Sequence, residues 1–419
     1  YKRQVDVKVG LEGRNLAAMK PVLGIDLPDT KPYATSGRVL HENTQWRYES
    51  FTAKVGASDL GGNISIDRTE ELTTVKGDLA SKRLQLADFF QRGDNRKKPA
   101  AAADKGVLPR TKFDTAAWDA LNADIKLRAD SIEAGKLPMR NLSLHATLAD
   151  KVATLQDLKL QIAGGTLNGN LSLDGSNNPA RGKANLQVQD MRFAELMPDA
   201  AKASSDKVRP GRLDARANLS GSGNSVDDLL GSADGRMSLI LAGGQISNFI
   251  VEAVGIDLWE MLKFKMSGDQ NIAIRCGVAD FGVKNGVAEA QVAVLDTEDT
   301  TVNITGNINL AKETLDLTLH PQPKDMSPLS LRGPIHVRGP MKNPQIAPDK
   351  TRLGLRGLGA LALGFVNPLL ALVPLIETGP GKDSDCGALI QEAKASQDKA
   401  AAQNKVAGKK AETSGSRSK

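Results

Sequence analysis

"GNISID" at 62–67, "GNLSLD" at 169–174 and "GNINLA" at 306–311 are three spellings of one phrase, a Gly-Asn pair opening an alternation of apolar and polar residues. Such alternation belongs to a strand with one buried and one solvated face, and the Gly-Asn pair reads as the hairpin turn that feeds it. Sliding the sequence along itself by 107 residues lays 48–89 over 155–196 without a gap. Only 8 of the 42 aligned pairs are identical, so the pattern carries the repeat rather than the identity. Phe51 falls on Leu158, Val55 on Ile162, Ile64 on Leu171 and Ile66 on Leu173. Further along, Leu84 falls on Met191, Leu86 on Phe193 and Phe89 on Leu196. In both copies the apolar period changes from two to roughly helical at the same place. Each copy therefore predicts a strand, a Gly-bearing turn, two more strands and a short helical turn ("LADFF", "FAELM").

Strand text of the same kind fills the rest: "ADIKLRAD" (123–130), "NLSLHATL" (141–148), "GRMSLIL" (235–241), and "VAEAQVAVL" (287–295) before the third phrase. A sheet this one-sided must hide its apolar face. It either closes as a sandwich or barrel, or stays open as a groove for an apolar ligand. Repeats that stack edge to edge favour the open form. The expected fold is mainly β: an elongated twisted antiparallel sheet forming an apolar groove from repeated units. A few short helices and a C-terminal hydrophobic helical segment complete it. The helices are expected at 15–24 and 247–264.

Composition agrees with an extended β-structure. The 419 residues include 40 Gly but only 3 Trp, 3 Tyr and 9 Phe, many turns and few ring side chains for a thick core. The formal charge of +6 is local, because residues 393–419 carry seven Lys or Arg against Asp398 and Glu412. That tail is +5 and reads as disordered; the remaining +1 gives nucleic-acid binding no support. Two cysteines, Cys276 and Cys386, form no metal or redox spacing; pairing in an oxidising compartment and two separate thiols both stay open. The four histidines occupy no ligand or triad spacing. No metal, cofactor or catalytic residue is expected.

Several stretches together resemble the AsmA-like family of the bacterial envelope. They are "FDTAAWDALNADIKLR" (113–128), "DLKLQIAGGTLNGNLSLDG" (157–175), "IRCGVADFGVKNGVA" (274–288) and "RGPIHVRGPMKNPQIAPD" (332–349). "NLAAMKPVLGIDLPDTKPY" followed by "LGGNISID" resembles the repeat that precedes them in the same family. The resemblance covers roughly 5–385. It implies a Gram-negative protein held in the inner membrane by an N-terminal helix and extending into the periplasm. It also implies a role as a bridge-like conduit for phospholipid, with no catalytic motif. This chain opens on Tyr1 without such a helix and is read as a fragment. Five regions are expected: a β-repeat unit at 1–91, a charged Ala/Pro-rich loop at 92–112, and a C-terminal β-groove domain at 113–350. A hydrophobic helical segment at 351–392 and the basic tail at 393–419 follow.

The stretch 357–376, "GLGALALGFVNPLLALVPLI", runs twenty residues without a charge, interrupted by Asn367, Pro368 and Pro374. It reads as a transmembrane helix, as a hairpin capping the groove, or as a kinked segment dipping into a target membrane, the last being favoured. Leu361, Leu363, Phe365, Leu369, Leu370 and Leu372 are its membrane-contact candidates, with the outer membrane the expected partner.

Alternation also selects the residues expected to line a groove. In the first repeats these are Ile125 and Leu127, then Leu158, Leu160 and Ile162, then Leu171 and Leu173, then Leu186 and Val188. Further on they are Leu239 and Leu241, then Ile304, Ile308 and Leu310. The expected function is periplasmic, non-enzymatic phospholipid transfer between the inner and outer membranes. The competing class is a scaffold that assembles outer-membrane proteins through strand edges. An enzyme acting on envelope polysaccharide is disfavoured because Asp and Glu fall at turns and on polar strand phases, not in a compact cluster.

Overall fold

The structure, a computed structural model, describes residues 5–23, 27–69, 72–89, 106–134, 139–196, 211–247, 271–324, 334–348, 382–393 and 395. Within them lie nineteen strands in two compact units. Unit 1 comprises Tyr1–Lys105, Thr111–Met191 and Ser222–Ser225; unit 2 comprises Gly106–Arg110, Arg192–Gly221 and Val226–Lys419.

Unit 1 carries β1 (Val5–Gly13), β2 (Tyr33–Glu42), β3 (Gln45–Val55), β4 (Ser58–Arg68) and β5 (Thr73–Gln85). It continues with β6 (Leu121–Glu133), β7 (Met139–Ala149), β8 (Val152–Ile162), β9 (Gly165–Asp174) and β10 (Arg181–Arg192). Each strand pairs with the next in chain order. All these pairings are antiparallel except β5–β6, which is parallel, so the expectation of an antiparallel sheet is corrected there. A parallel pair needs the chain carried back to the same end between the two strands.

Unit 2 carries β11 (Arg212–Ser222), β12 (Asp234–Ala242), β13 (Gln245–Ser247), β14 (Asn271–Lys284) and β15 (Val287–Thr297). β16 (Thr300–Asn309), β17 (Thr314–Pro323), β18 (Ile335–Pro340) and β19 (Gln345–Pro348) complete it. The sheet runs β11–β12–β14–β15–β16–β17–β18–β19, all antiparallel, while β13 pairs with the start of β14.

The repeat is structural to the residue. Moving β3 by 107 gives the bounds of β8, the start of β4 moves onto the start of β9, and the end of β5 onto the end of β10. The 3-10 turns Leu86–Asp88 and Phe193–Leu196 follow in the same place, as the change of period predicts.

The Gly-Asn phrases, however, are not turns. Each lies inside a strand, at Gly62 in β4, Gly169 in β9 and Gly306 in β16. Opposite Gly62 the register of β3 slips between Tyr48 and Phe51, and opposite Gly169 that of β8 slips between Leu155 and Leu158. At each bulge one residue turns left-handed, Ser50 (φ 48°) or Asp157 (φ 51°). Its freed N–H donates to the side chain of the phrase's Asn, Ser50 to Asn63 at 2.8 Å and Asp157 to Asn170 at 3.2 Å. The glycine is needed because the next strand's backbone presses on it. A Cβ at Gly62 would lie 2.0 Å from the Asp78 carbonyl oxygen, and one at Gly169 would lie 2.5 Å from that of Asn185. True hairpin turns use other pairs with both residues left-handed: Asp150-Lys151, Ala163-Gly164 and Asn285-Gly286.

The expected helix at 15–24 is present as a 3-10 turn, Leu16–Met19, running into Lys20–Leu23. Asn15 caps it by accepting the Ala17 N–H at 2.8 Å. The expected helix at 247–264 lies outside the described residues beyond Ser247, as do the apolar stretch 357–376 and the tail from 396.

Unit 1 packs most tightly at one end of its strands. Tyr33, Val55, Leu84 and Ile132 are buried there, and Asp88 seals the end. Its carboxylate accepts the N–H groups of Ala57 and Ser58, both at 2.9 Å, and the Ser58 hydroxyl at 2.8 Å, and pairs with Lys31 at 2.7 Å. Burial pushes this carboxyl up, but the donors from Lys31, Ser58 and Ala57 outweigh it and hold the group below the ordinary carboxylate range.

Candidate functional site

Tracing register partners from strand to strand shows what the alternation builds. In unit 1, Val7 faces Val39, Val39 faces Tyr48, Tyr48 faces Ile64, and Ile64 faces Gly77. The row continues through Ile125, Ala146, Leu155, Leu171 and Ala184. It crosses all ten strands without a charged side chain. At about 4.8 Å per strand it runs roughly 43 Å along the sheet. A second row lies one pleat away: Val5, His41, Trp46, Ile66, Val75, Ala123, Leu148, Ala153, Leu173 and Gly182.

Burial separates the rows from the sealed end. From Val39 to Ala184, no member of the first row is buried; all are half-exposed. At the β1 side the apolar residues are more open still, with Val7 and Trp46 each 44% exposed. A sandwich would bury the middle of its inner face below the level of its ends. Here the middle row is only partly buried from Val39 to Ala184. The row is thus apolar on ten successive strands and partly accessible on nine of them.

All nine groove candidates named for unit 1 stand on this face. Leu171 belongs to the first row and Leu173 to the second, with Ile125 beside Ala146. Leu127 and Leu160 lean on the buried cluster Leu84–Ala129–Ile132 and so serve the core. The sequence reading left Tyr48, Ile64 and Leu155 out of its groove candidates, although the register places them in the row. Tyr48 and Leu155 sit just before the bulges, where a strict period-two count loses phase, whereas Ile64 lies in plain alternation with Ile66.

Unit 2 has an apolar face of its own. Leu213 faces Leu241, Leu241 faces Gly277, Gly277 faces Leu295, Leu295 faces Val302 and Val302 faces Pro321. Leu239 and Ile304 lie on that face, Leu239 being 38% exposed and Leu241 buried. Ile308 and Leu310 pack against buried Ala233, Val283 and Ala288 instead, one end of this unit's core. The six membrane-contact candidates lie outside the described residues.

The opposite face of unit 1 is polar and laddered with exposed ion pairs. Arg38 forks onto Asp6 at 2.7 and 2.6 Å and Arg128 meets Asp78 at 2.9 Å, and beside them His145 and Asp124 share a hydrogen bond of 2.7 Å. A shallow concavity there is lined by Arg47, Glu49, Lys76, Asp78, Asp124 and Lys126, whose signs cancel. It presents neither a field for an anion nor a nucleophile with a base.

Among the described residues of unit 2, a polar cluster built around Cys276 and Asp296 stands on the face away from its apolar rows. Cys276 of β14 is bonded to Cys386, which settles the open question of the two thiols. Beside it Asp296, with no exposed surface, receives Lys324 at 2.5 Å, the Thr301 hydroxyl at 3.0 Å and the Ser384 N–H at 3.1 Å. Arg275 reaches it at 3.4 Å, and Asp383 bridges Arg275 and Lys324. Burial pulls the Lys324 ammonium down, but Asp296 and Asp383 more than reverse it and hold the charge. The two sulfurs and Asp296 are close enough to suggest a metal site. With the sulfurs joined and the carboxylate filled by donors, the arrangement does not fit one.

Among the described residues no helix is long and apolar enough to cross a membrane as a helix. The AsmA family model matches residues 11–292. The chain is also similar to AsmA family protein YhjG of Escherichia coli strain K12, at 32% identity over 412 residues, or 93% of this chain and 60% of that protein. It thus spans about three-fifths of the length of the curated relative it matches. No solved structure matches it. With two-thirds of its length under the family model and the resemblance running through the same β-repeats, the chain belongs to the AsmA family, a family associated with the bacterial envelope.

Proposed function

We propose that this chain carries phospholipid along the apolar face of its repeated sheet, without catalysis, in the periplasm between the inner and outer membranes. The observation that carries the reading is the half-exposed row from Val39 to Ala184, uninterrupted by charge across the strands. An acyl chain in water is penalised by about 0.8 kcal/mol per CH₂, and an aliphatic track removes much of that while the headgroup stays wet. The rungs are chemically alike, so no position holds the chain much more tightly than the next, and sliding has low barriers. The Cys276–Cys386 bond supports an oxidising compartment. Attachment to the inner membrane and contact of 357–376 with the outer one belong to the same proposal.

The test is lipid analysis of the whole chain purified from a Gram-negative envelope after exhaustive washing. Stoichiometric phospholipid is expected by mass spectrometry. Ile125→Glu and Leu171→Glu, at half-exposed rungs, should lose most of it while the chain stays folded by urea unfolding. Asn185→Glu, on the polar face, should keep it. Lipid-free wild-type protein, or equal lipid in all three variants, overturns the reading and favours the scaffold class.

A further inference from the structure

The charged cluster on unit 2 is one part of a larger attachment. Residues 382–393 lie across the face of the sheet opposite its apolar rows. The Thr301 hydroxyl donates to the Lys382 carbonyl at 3.1 Å, and Asp383 and Ser384 join the Asp296 cluster. Asp385 accepts the Ala388 N–H at 2.9 Å and so caps the helix 386–393. That helix lays Leu389, Ile390 and Ala393 on Ile240 and Val278, the apolar residues on the otherwise polar side of β12 and β14. Three apolar side chains are a small anchor for this strap.

We propose that Cys276 and Cys386 are a redox modification site, a latch that holds this strap on the sheet and keeps Ile240 and Val278 covered. Cys276 is 1% exposed beneath the strap, so the bond forms while the strap is open and is closed over by its own product. The oxidant is a disulfide-bearing compound, a protein disulfide or a small-molecule one. One cysteine thiolate attacks its disulfide, giving a mixed disulfide and releasing one thiolate. The second cysteine thiolate then displaces the remaining sulfur. Two electrons pass to the oxidant, two protons leave the cysteines, and the oxidant departs as two thiols. Thiol reductant reverses each step. The two cysteines are 110 residues apart, so the latch joins the strap to a strand distant in sequence. The reduced strap retains only non-covalent contacts: the Asp296 cluster, the Thr301–Lys382 bond and the three apolar side chains on Ile240 and Val278. Of these, the Asp383 pairs are weakened by solvent screening, Asp383 being 63% exposed.

The whole chain, purified from an oxidising compartment, is unfolded without reductant and treated with iodoacetamide; neither cysteine should be alkylated. Hydrogen exchange of the native chain is then followed with and without tris(2-carboxyethyl)phosphine. Reduction should speed exchange of 382–393, and of 236–242 beneath it, by about tenfold or more. Peptides 58–68 of unit 1 should not change, and the double variant Cys276→Ala, Cys386→Ala should behave as the reduced chain does. Free thiols at both positions overturn the proposal. So does strap protection unchanged by reduction, which would mean the non-covalent contacts suffice. A loss of protection spread equally into 58–68 also overturns it, since the bond would then be a general staple.

Discussion

The Gly-Asn phrase makes a sharp prediction about the sheet. Gly62 holds φ +137°, where an L side chain is strained, and its missing Cβ would lie 2.0 Å from the Asp78 carbonyl oxygen, well inside the 3.4 Å at which ordinary contact begins. Neither atom is the end of a flexible side chain. In Gly62→Ala either β4 and β5 separate or the bulge opposite relaxes. Backbone strain contributes about 1–3 kcal/mol and overpacking about 1–3 kcal/mol, so roughly 4 kcal/mol of destabilisation is expected for β4–β5. The same reasoning covers Gly306→Ala, at φ +113° and 2.1 Å from the Asp316 carbonyl. Gly10→Ala is the control, since nothing lies within 4 Å of its Cβ position. Hydrogen exchange of 58–68 and 73–85 should show opening roughly a thousandfold more frequent in Gly62→Ala. Gly10→Ala should stay within about 0.5 kcal/mol of wild type. If the two variants differ by less than that, the close approach is not what selects glycine, and the bulge account fails.

Two further outcomes follow from the same elements. Asn63→Ala and Asn170→Ala each remove one bulge hydrogen bond and should lower stability by about 1 kcal/mol, with the double variant equal to the sum; urea unfolding checks both, and a null double variant would discard the role assigned to the Asn. The Asp88 carboxyl is held below its unfolded value in the folded chain, so its contribution is present above the unfolded pKa and is lost as pH falls through the folded one. Stability measured from pH 7 down to pH 3 should therefore fall less steeply in Asp88→Asn than in wild type, and parallel curves would contradict the assignment.

Strand text, the period-two face and the 107-residue repeat were legible because each is local, or a translation of something local. Gly-Asn was misread because sequence shows the glycine but not its reason. The same residue serves a left-handed turn and a backbone approach from a neighbouring strand, and only the partner distinguishes them. Tyr48 and Leu155 fell out of the candidate set because a bulge shifts phase by one residue, which a strict alternation count cannot absorb. The β5–β6 pairing and the Cys276–Cys386 bond left no local mark, since both join residues whose separation is set by the fold.

A face built from one repeated row argues against a single tight site and for a track, but the two ends of the strands are not equivalent. At one end Tyr33, Val55, Leu84 and Ile132 are buried, and the 3-10 turns at 86–88 and 193–196 follow β5 and β10. At the other, Val5 and Trp46 stay exposed. An apolar chain lying along the strands would meet buried side chains at the sealed end. Lying across them it passes rung after rung that is partly accessible, from Val39 to Ala184. The proposed path therefore runs perpendicular to the strands, in the direction in which the repeat itself propagates. Leu127 and Leu160, toward the sealed end, are spent on the core cluster. Substituting them should unfold β5–β7 before it changes bound lipid, whereas Ile125 and Leu171 should change lipid first. Lipid content and urea stability measured on all four Glu variants would separate the pairs. Stability losses of equal size in all four would mean that the middle row is core as well, and the track would then have no open rung to slide on.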